Sequence, residues 1–163
     1  MNLFTGETSE ELFGGEAPAS VVKLLREATR QASHSQSEAL LWTANVIAPD
    51  CLPVYFALYK FYFYKGKLAA AEDACRRGLK AAARKGDFND DWANQKAGPH
   101  WNEDTWPRRF YLFSLKALSF ILLRQGREIE SHQILNKLEE IDSGDRVGAV
   151  VIRDIAAGLK SKK

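Results

Sequence analysis

Cysteine is scarce in this chain: Cys51 and Cys75 are the only two in 163 residues. Their spacing fits no metal or redox motif, and two cysteines make no disulfide framework, which excludes a small cross-linked secreted scaffold. The three histidines, His34, His100 and His132, stand far apart in sequence. No His-x-x-x-His or Cys-x-x-Cys pair exists, so nothing local supplies the three or four convergent ligands of a metal centre. Gly-x-Gly-x-x-Gly is missing, and Lys65-Gly66-Lys67 lacks phosphate-loop spacing. The adjacent acids Glu72-Asp73, Asp90-Asp91 and Glu139-Glu140 diverge on a helix and form no acid/base pair. Ser131-His132 on a helix reads as exposed rather than catalytic. The sequence therefore reads as non-enzymatic, with no cofactor and no metal. No apolar run approaches the ~20 residues that span a bilayer. The start, MNLFTGETSEELFGGEA, lacks the basic and apolar regions of a secretory signal. A soluble, reducing, cytoplasmic setting without a membrane partner is the expectation. No segment sustains strand alternation, so the fold is expected to be all-α.

Net charge is small, +2, but its distribution is uneven. Residues 1–17 carry four acids (Glu7, Glu10, Glu11, Glu16) and no base, whereas residues 18–86 carry eleven bases against five acids. Residues 87–107 are acidic again, with five acids against Lys96, and residues 108–163 carry eleven bases against seven acids. Two acidic segments thus flank or interrupt a basic body. The first, rich in Gly, Glu, Ser and Thr, reads as a mobile tail with a short echo, Leu3-Phe4 and Leu12-Phe13.

Helical periodicity begins after Ala17-Pro18, with Val21, Val22, Leu24, Leu25 and Ala28 inward. Residues 33–37 read as a turn and cap before a second helix that ends at Pro49-Asp50. A third spans about 52–64, a fourth about 68–84 and a fifth about 108–124, with Leu112, Leu115, Ala117, Leu118, Ile121 and Leu122 inward. A sixth spans about 128–141, buried through Ile134, Leu135, Leu138 and Ile141. A seventh, about 146–159, is expected to bury Val147, Val150, Val151, Ile155 and Leu159. Residues 87–107 hold Trp92, Trp101 and Trp106, lack a period and read as a long loop. So much aromatic area argues that the loop packs over the middle hairpin as a flap or carries a contact site.

Within 52–86, Tyr55, Leu58, Tyr62, Gly66, Ala71, Cys75 and Gly78 fall at suggestive spacings. Large residues recur three and four apart, a Gly breaks the run, and a small-residue helix follows. The pattern resembles one unit of the tetratricopeptide repeat, in which hairpins of 34 residues stack because one alone cannot bury its apolar faces. Tyr59 departs from the family's small residue, Cys75 from its aromatic, and Gly78-Leu79 from its Ala-Leu. One period back, Val21, Leu24, Leu25, Ala28, Leu41, Ala44 and Pro49 match, without the turn Gly. The next turn Gly is Gly126, sixty residues after Gly66, preceded by Leu115, Leu118, Ser119 and Leu122 and followed by Ser131, Leu135 and Leu138. The resemblance implies about seven helices. They would form antiparallel hairpins stacked as a short array across 18–160, interrupted by the loop and closed by a C-terminal capping helix.

The resemblance also implies a concave groove lined by the first helix of each hairpin. Its facing positions would be Val22, Arg26, Thr29 and Arg30, then Phe56, Lys60, Phe63 and Tyr64, then Phe113, Lys116, Phe120 and Arg124. These comprise five bases, five aromatics and no acid. Such a groove suits an acidic segment of a partner protein with aromatic or aliphatic anchors. The acidic tail or the Trp-rich loop would also complement it. By contrast, the basic cluster Arg76, Arg77, Lys80, Arg84 and Lys85 reads as a solvated convex face. The leading reading is an adaptor or assembly chaperone. A helical repeat that binds RNA or single strands is the second reading, disfavoured by the low net charge. A small all-α enzyme whose residues meet only in space is the third.

Overall fold

A computed structural model describes residues 17–162, so the acidic tail up to Glu16 and the terminal Lys163 lie outside the described residues. Seven α-helices follow one another among the described residues, with no strand: α1 (Ala19–Arg30), α2 (His34–Ile47), α3 (Leu52–Tyr64), α4 (Leu68–Gly86), α5 (Trp106–Arg124), α6 (Glu128–Ile141) and α7 (Val150–Lys160). Two short 3₁₀ turns, Trp92–Asn94 and Pro99–Asn102, lie between α4 and α5. None of the helices is long and apolar enough to cross a membrane.

The helices pair as consecutive antiparallel hairpins, α1/α2, α3/α4 and α5/α6, each packed on the next. The odd-numbered helices also touch in series, α1 against α3, α3 against α5 and α5 against α7, so they share one side of the array. Two of the three hairpin turns are built alike. Gly66 (φ 72°) and Gly126 (φ 78°) occupy the left-handed region that side chains resist. In one turn Lys67 N donates to Tyr62 O and Gly66 N to Phe63 O; in the other Arg127 N donates to Leu122 O and Gly126 N to Leu123 O. Both are Schellman closures, which satisfy carbonyls left free at a helix end. The first hairpin turns through Gln31–Ser33 without a Gly, Gln31 being extended (φ −74°, ψ 136°).

The core runs through α3, α4 and α5. Helix α5 is buried on every side from Phe110 to Leu123, as befits a helix apolar all round. On α4, Gly78 allows the close approach: a Cβ there would sit 3.0 Å from Tyr55 Cβ and 3.2 Å from two ring carbons of Phe110. Tyr59, large where the repeat pattern has a small residue, is fully buried and meets a small partner, its hydroxyl 3.4 Å from Ser114 Oγ on α5. Cys75 fills the same junction, Sγ donating to Ser114 O at 3.2 Å. In the third hairpin two small residues meet directly, Ser131 Oγ donating to Ser119 O at 2.7 Å. The aromatic excess of α3 is therefore absorbed between hairpins rather than within one.

Three expectations are corrected. Helix α2 starts at His34, inside the expected turn at 33–37. Ser37 is a buried helical residue whose hydroxyl donates to Ala28 O at 2.8 Å, tying α2 to α1. Helix α7 starts at Val150, because residues 142–149 form a knitted turn: Asp142 accepts from Val147 N and Asp145 from Ala149 N. And α7 buries Ile152 and Ala156, while Val150, Val151, Ile155 and Leu159 are exposed. Two apolar stripes compete on that helix, and the side bearing the small Ala156 is the one buried.

Candidate functional site

A groove of about 780 Å³ lies between α1 and α3. Its deepest residues are Ala28, Leu41 and Phe56, all buried. Val22, Leu25, Pro53, Ala57, Lys60 and Phe61 line its half-buried slopes, and Arg26, Thr29, Tyr64 and Lys65 its exposed rim. Ala17 lines it as well. Among the described residues the lining carries three bases, Arg26, Lys60 and Lys65, and no acid. Lys60 Nζ stands 5.6 Å from the centre of the Phe56 ring, and Lys65 Nζ 5.8 Å from that of Phe61. Lys65 is held further by His34 Nε2 at 2.6 Å, and His34 meets Phe61 edge-on. Cationic heads over ring faces keep their charge directed while their stems cover apolar surface.

The groove gathers Val22, Arg26, Thr29, Phe56, Lys60 and Tyr64 of the expected concave positions. The others lie elsewhere. Arg30 is exposed in the last turn of α1 and lines no part of the groove. Phe63 is buried against Phe120, ring centres 5.3 Å apart, and Arg124 lies 5.8 Å over Phe63. Phe113 lines a separate pocket of about 290 Å³ with Glu103, Asp104, Arg109 and Arg146. Lys116 is buried and donates to Val147 O at 2.7 Å. Burial lowers its pKa, with Asp145 acting in opposition. This amine pins the turn before α7 and is not offered to a groove, a correction to its expected role. Phe61, absent from the expected positions, is the main aromatic addition. Its spacing with Ala57 and Lys65, four residues either side, is the one local signal that marked that stripe.

The Trp-rich loop is a flap, but on the third hairpin and not the middle one. Trp101 is buried against Phe88 and Tyr111, and its indole donates to Lys96 O at 3.0 Å. Tyr111 of α5 donates to Asp90 O, Lys137 of α6 donates to Gln95 O, and Arg146 donates to Trp101 O. Trp92 and Trp106 are half-buried beside this core. Trp101 is thus a structural anchor, and the loop's anchoring contacts lie away from the α1/α3 groove.

The convex side is largely solvated, as expected, with one exception. Arg76 bridges Glu72 at 2.9 Å and Glu130 at 2.7 Å, while Arg127 bridges the same two acids at 2.8 and 2.5 Å. This ring of charges joins α4 to α6. Burial alone would raise the Glu72 carboxyl, but hydrogen bonds from Arg76, Gln125 and Arg127 hold it below its ordinary value. Among the described residues, no group of three or more His, Cys, Asp or Glu is placed to hold a metal ion.

No family model and no solved structure matches the chain. One curated relative, described as "Uncharacterized 19.8 kDa protein in nifW 5'region" from Azotobacter chroococcum mcd 1, is 30% identical over 152 residues, covering 91% of this chain and 85% of its own length.

Proposed function

This chain belongs to the family of the Azotobacter chroococcum protein, and we propose that it is a non-catalytic protein-interaction module, an adaptor or assembly chaperone built from tetratricopeptide-like hairpins. Its α1/α3 groove holds an acidic segment of a partner protein through apolar anchors. The observation that carries this reading is the groove itself: an apolar floor and, among the described residues that line it, three bases and no acid. A helical or extended segment that buries a Leu or Phe there gains about 1.5–3 kcal/mol per anchor, and carboxylates beside it meet Arg26, Lys60 and Lys65. A catalytic cleft would place titration-shifted groups around a cavity. Here the shifted groups are Tyr59, Tyr62, Glu72, Cys75, Arg76, Tyr111 and Lys116, and none of them lines the groove.

The test is fluorescence anisotropy of labelled peptides that set Asp and Glu around a Leu-Phe or Trp anchor. Lys60→Glu/Phe61→Ser is the groove variant, and Lys80→Glu, exposed on α4, is the matched control. The groove variant is expected to lose at least tenfold in affinity, about 1.4 kcal/mol, while the control loses none. Equal binding by both refutes the groove. Tighter binding of a single-stranded oligonucleotide, falling steeply with salt, selects the nucleic-acid reading instead.

A further inference from the structure

We propose that the chain's own acidic N-terminal segment, residues 3–16, lies in the α1/α3 groove and competes there with the partner. The inference rests on the groove reading above and names its first occupant.

Four observations converge. The first is position. Ala17, the first described residue, itself lines the groove, so the segment before it starts at the groove mouth. The second is reach. From Pro53 to Lys65 the α3 wall rises about 18 Å, and six extended residues cover about 20 Å. Phe13, four residues before Ala17, lies within about 13 Å of it even in a fully extended chain, which is less than the length of that wall. The third is charge. The segment carries Glu7, Glu10, Glu11 and Glu16 and no base, against a groove whose described lining holds three bases and no acid. The fourth is anchor chemistry. Leu3-Phe4 and Leu12-Phe13 supply the paired apolar side chains that a floor of Leu41, Phe56 and Phe61 accepts. The other acidic segment, 87–107, is committed to the third hairpin through Trp101 and Gln95, which leaves the tail as the internal complement.

Tethering sets the size of the effect. A short tether gives an effective concentration of roughly 1 mM. If the segment binds with a Kd of about 100 µM, it fills the groove about nine-tenths of the time and weakens partner binding about tenfold. A partner must then outcompete the tail, which makes binding selective for segments with better anchors.

The experiment uses the full chain with one cysteine in the tail and one on the groove rim, Phe13→Cys/Thr29→Cys. Oxidative cross-linking is read by mass. The native Cys51 and Cys75 are buried and serve as internal controls, and Phe13→Cys/Ile129→Cys, with Ile129 exposed on α6, is the negative pair. The expected result is an intramolecular cross-link for the Thr29 pair alone, abolished by adding Glu10→Lys/Glu11→Lys. In parallel, Leu12→Ser/Phe13→Ser is expected to raise affinity for the labelled acidic peptide about tenfold. Equal cross-linking of both pairs, an intermolecular cross-link, or unchanged peptide affinity overturns the proposal. The two readings fail separately. Peptide binding without a tail cross-link leaves the partner groove standing and sinks the tail; a cross-link without peptide binding does the reverse.

Discussion

Two helical glycines should answer the same substitution with opposite sign. Gly158 lies on the exposed side of α7, and a Cβ there meets nothing within 4 Å. Gly158→Ala gains only helix propensity, roughly 0.5–1 kcal/mol. Gly78 on α4 gains the same amount in principle. Its new methyl, however, sits 3.0 Å from Tyr55 Cβ and 3.2 Å from Cε1 and Cζ of Phe110. Neither neighbour yields easily. Tyr55 Cβ is bonded directly to the α3 backbone and its hydroxyl is fixed on Pro49 O at 2.6 Å, and Phe110 is fully buried. Overpacking costs about 1–3 kcal/mol, so the net for Gly78→Ala is a loss of about 1 kcal/mol, and Gly78→Leu loses more. The assay is urea unfolding followed by circular dichroism, with thermal midpoints as a second readout. In a chain of this size 1 kcal/mol moves the midpoint by about 2–4 °C. Gly158→Ala should raise it and Gly78→Ala should lower it. If both raise it by the same amount, α3, α4 and α5 do not approach as closely as described, and the packing argument for this junction is wrong.

Two pH-dependent predictions follow from the buried groups. Glu72 has its carboxyl held below the ordinary 4.5 by the Arg76, Gln125 and Arg127 contacts that outweigh burial, so its stabilisation is present above pH 4.5 and lost as pH falls through the folded value. Glu72→Gln should cost about 1 kcal/mol at pH 7 and much less at pH 3; a pH-independent cost removes the ion ring from the account. Cys75 has its thiol raised from 9.0, chiefly by burial, so the folded state keeps a proton that the unfolded chain releases. Its stabilisation is full below pH 9 and declines above it. Between pH 9 and 10 the wild type should lose about 1 kcal/mol that Cys75→Ala does not lose, measured as urea midpoints; the raised tyrosines Tyr59, Tyr62 and Tyr111 contribute alike in both proteins and cancel. An equal loss in both proteins shows that the thiol is not buried as described.

Much of the architecture was written locally. Gly66 and Gly126 marked equivalent turns because only Gly takes a positive φ there at no cost, and both close as Schellman turns. The periodic apolar residues of α5 and α6 are buried as expected, those of α6 because one stripe faces the core and those of α5 because that helix is enclosed on every side. Where apolar residues surround a helix, the period stops carrying direction. Helix α3 holds seven aromatics between Tyr55 and Tyr64, and a shift of one residue turns the chosen face by about 100°. That is why Phe63 was expected at the groove that Phe61 lines. The same ambiguity misassigned α7, which carries two apolar stripes.

What the sequence determined by itself is the all-helical hairpin order, the turns and the uneven charge, because each depends on residues close in the chain. Tertiary structure alone decided that Lys116 is buried beneath the turn before α7, that the Trp-rich loop closes over the third hairpin, and that the expected concave surface narrows to a groove between α1 and α3. Those outcomes depend on which helix covers which face, and that is settled by the fit of side chains tens of residues apart, such as Tyr59 against Ser114 and Gly78 against Phe110.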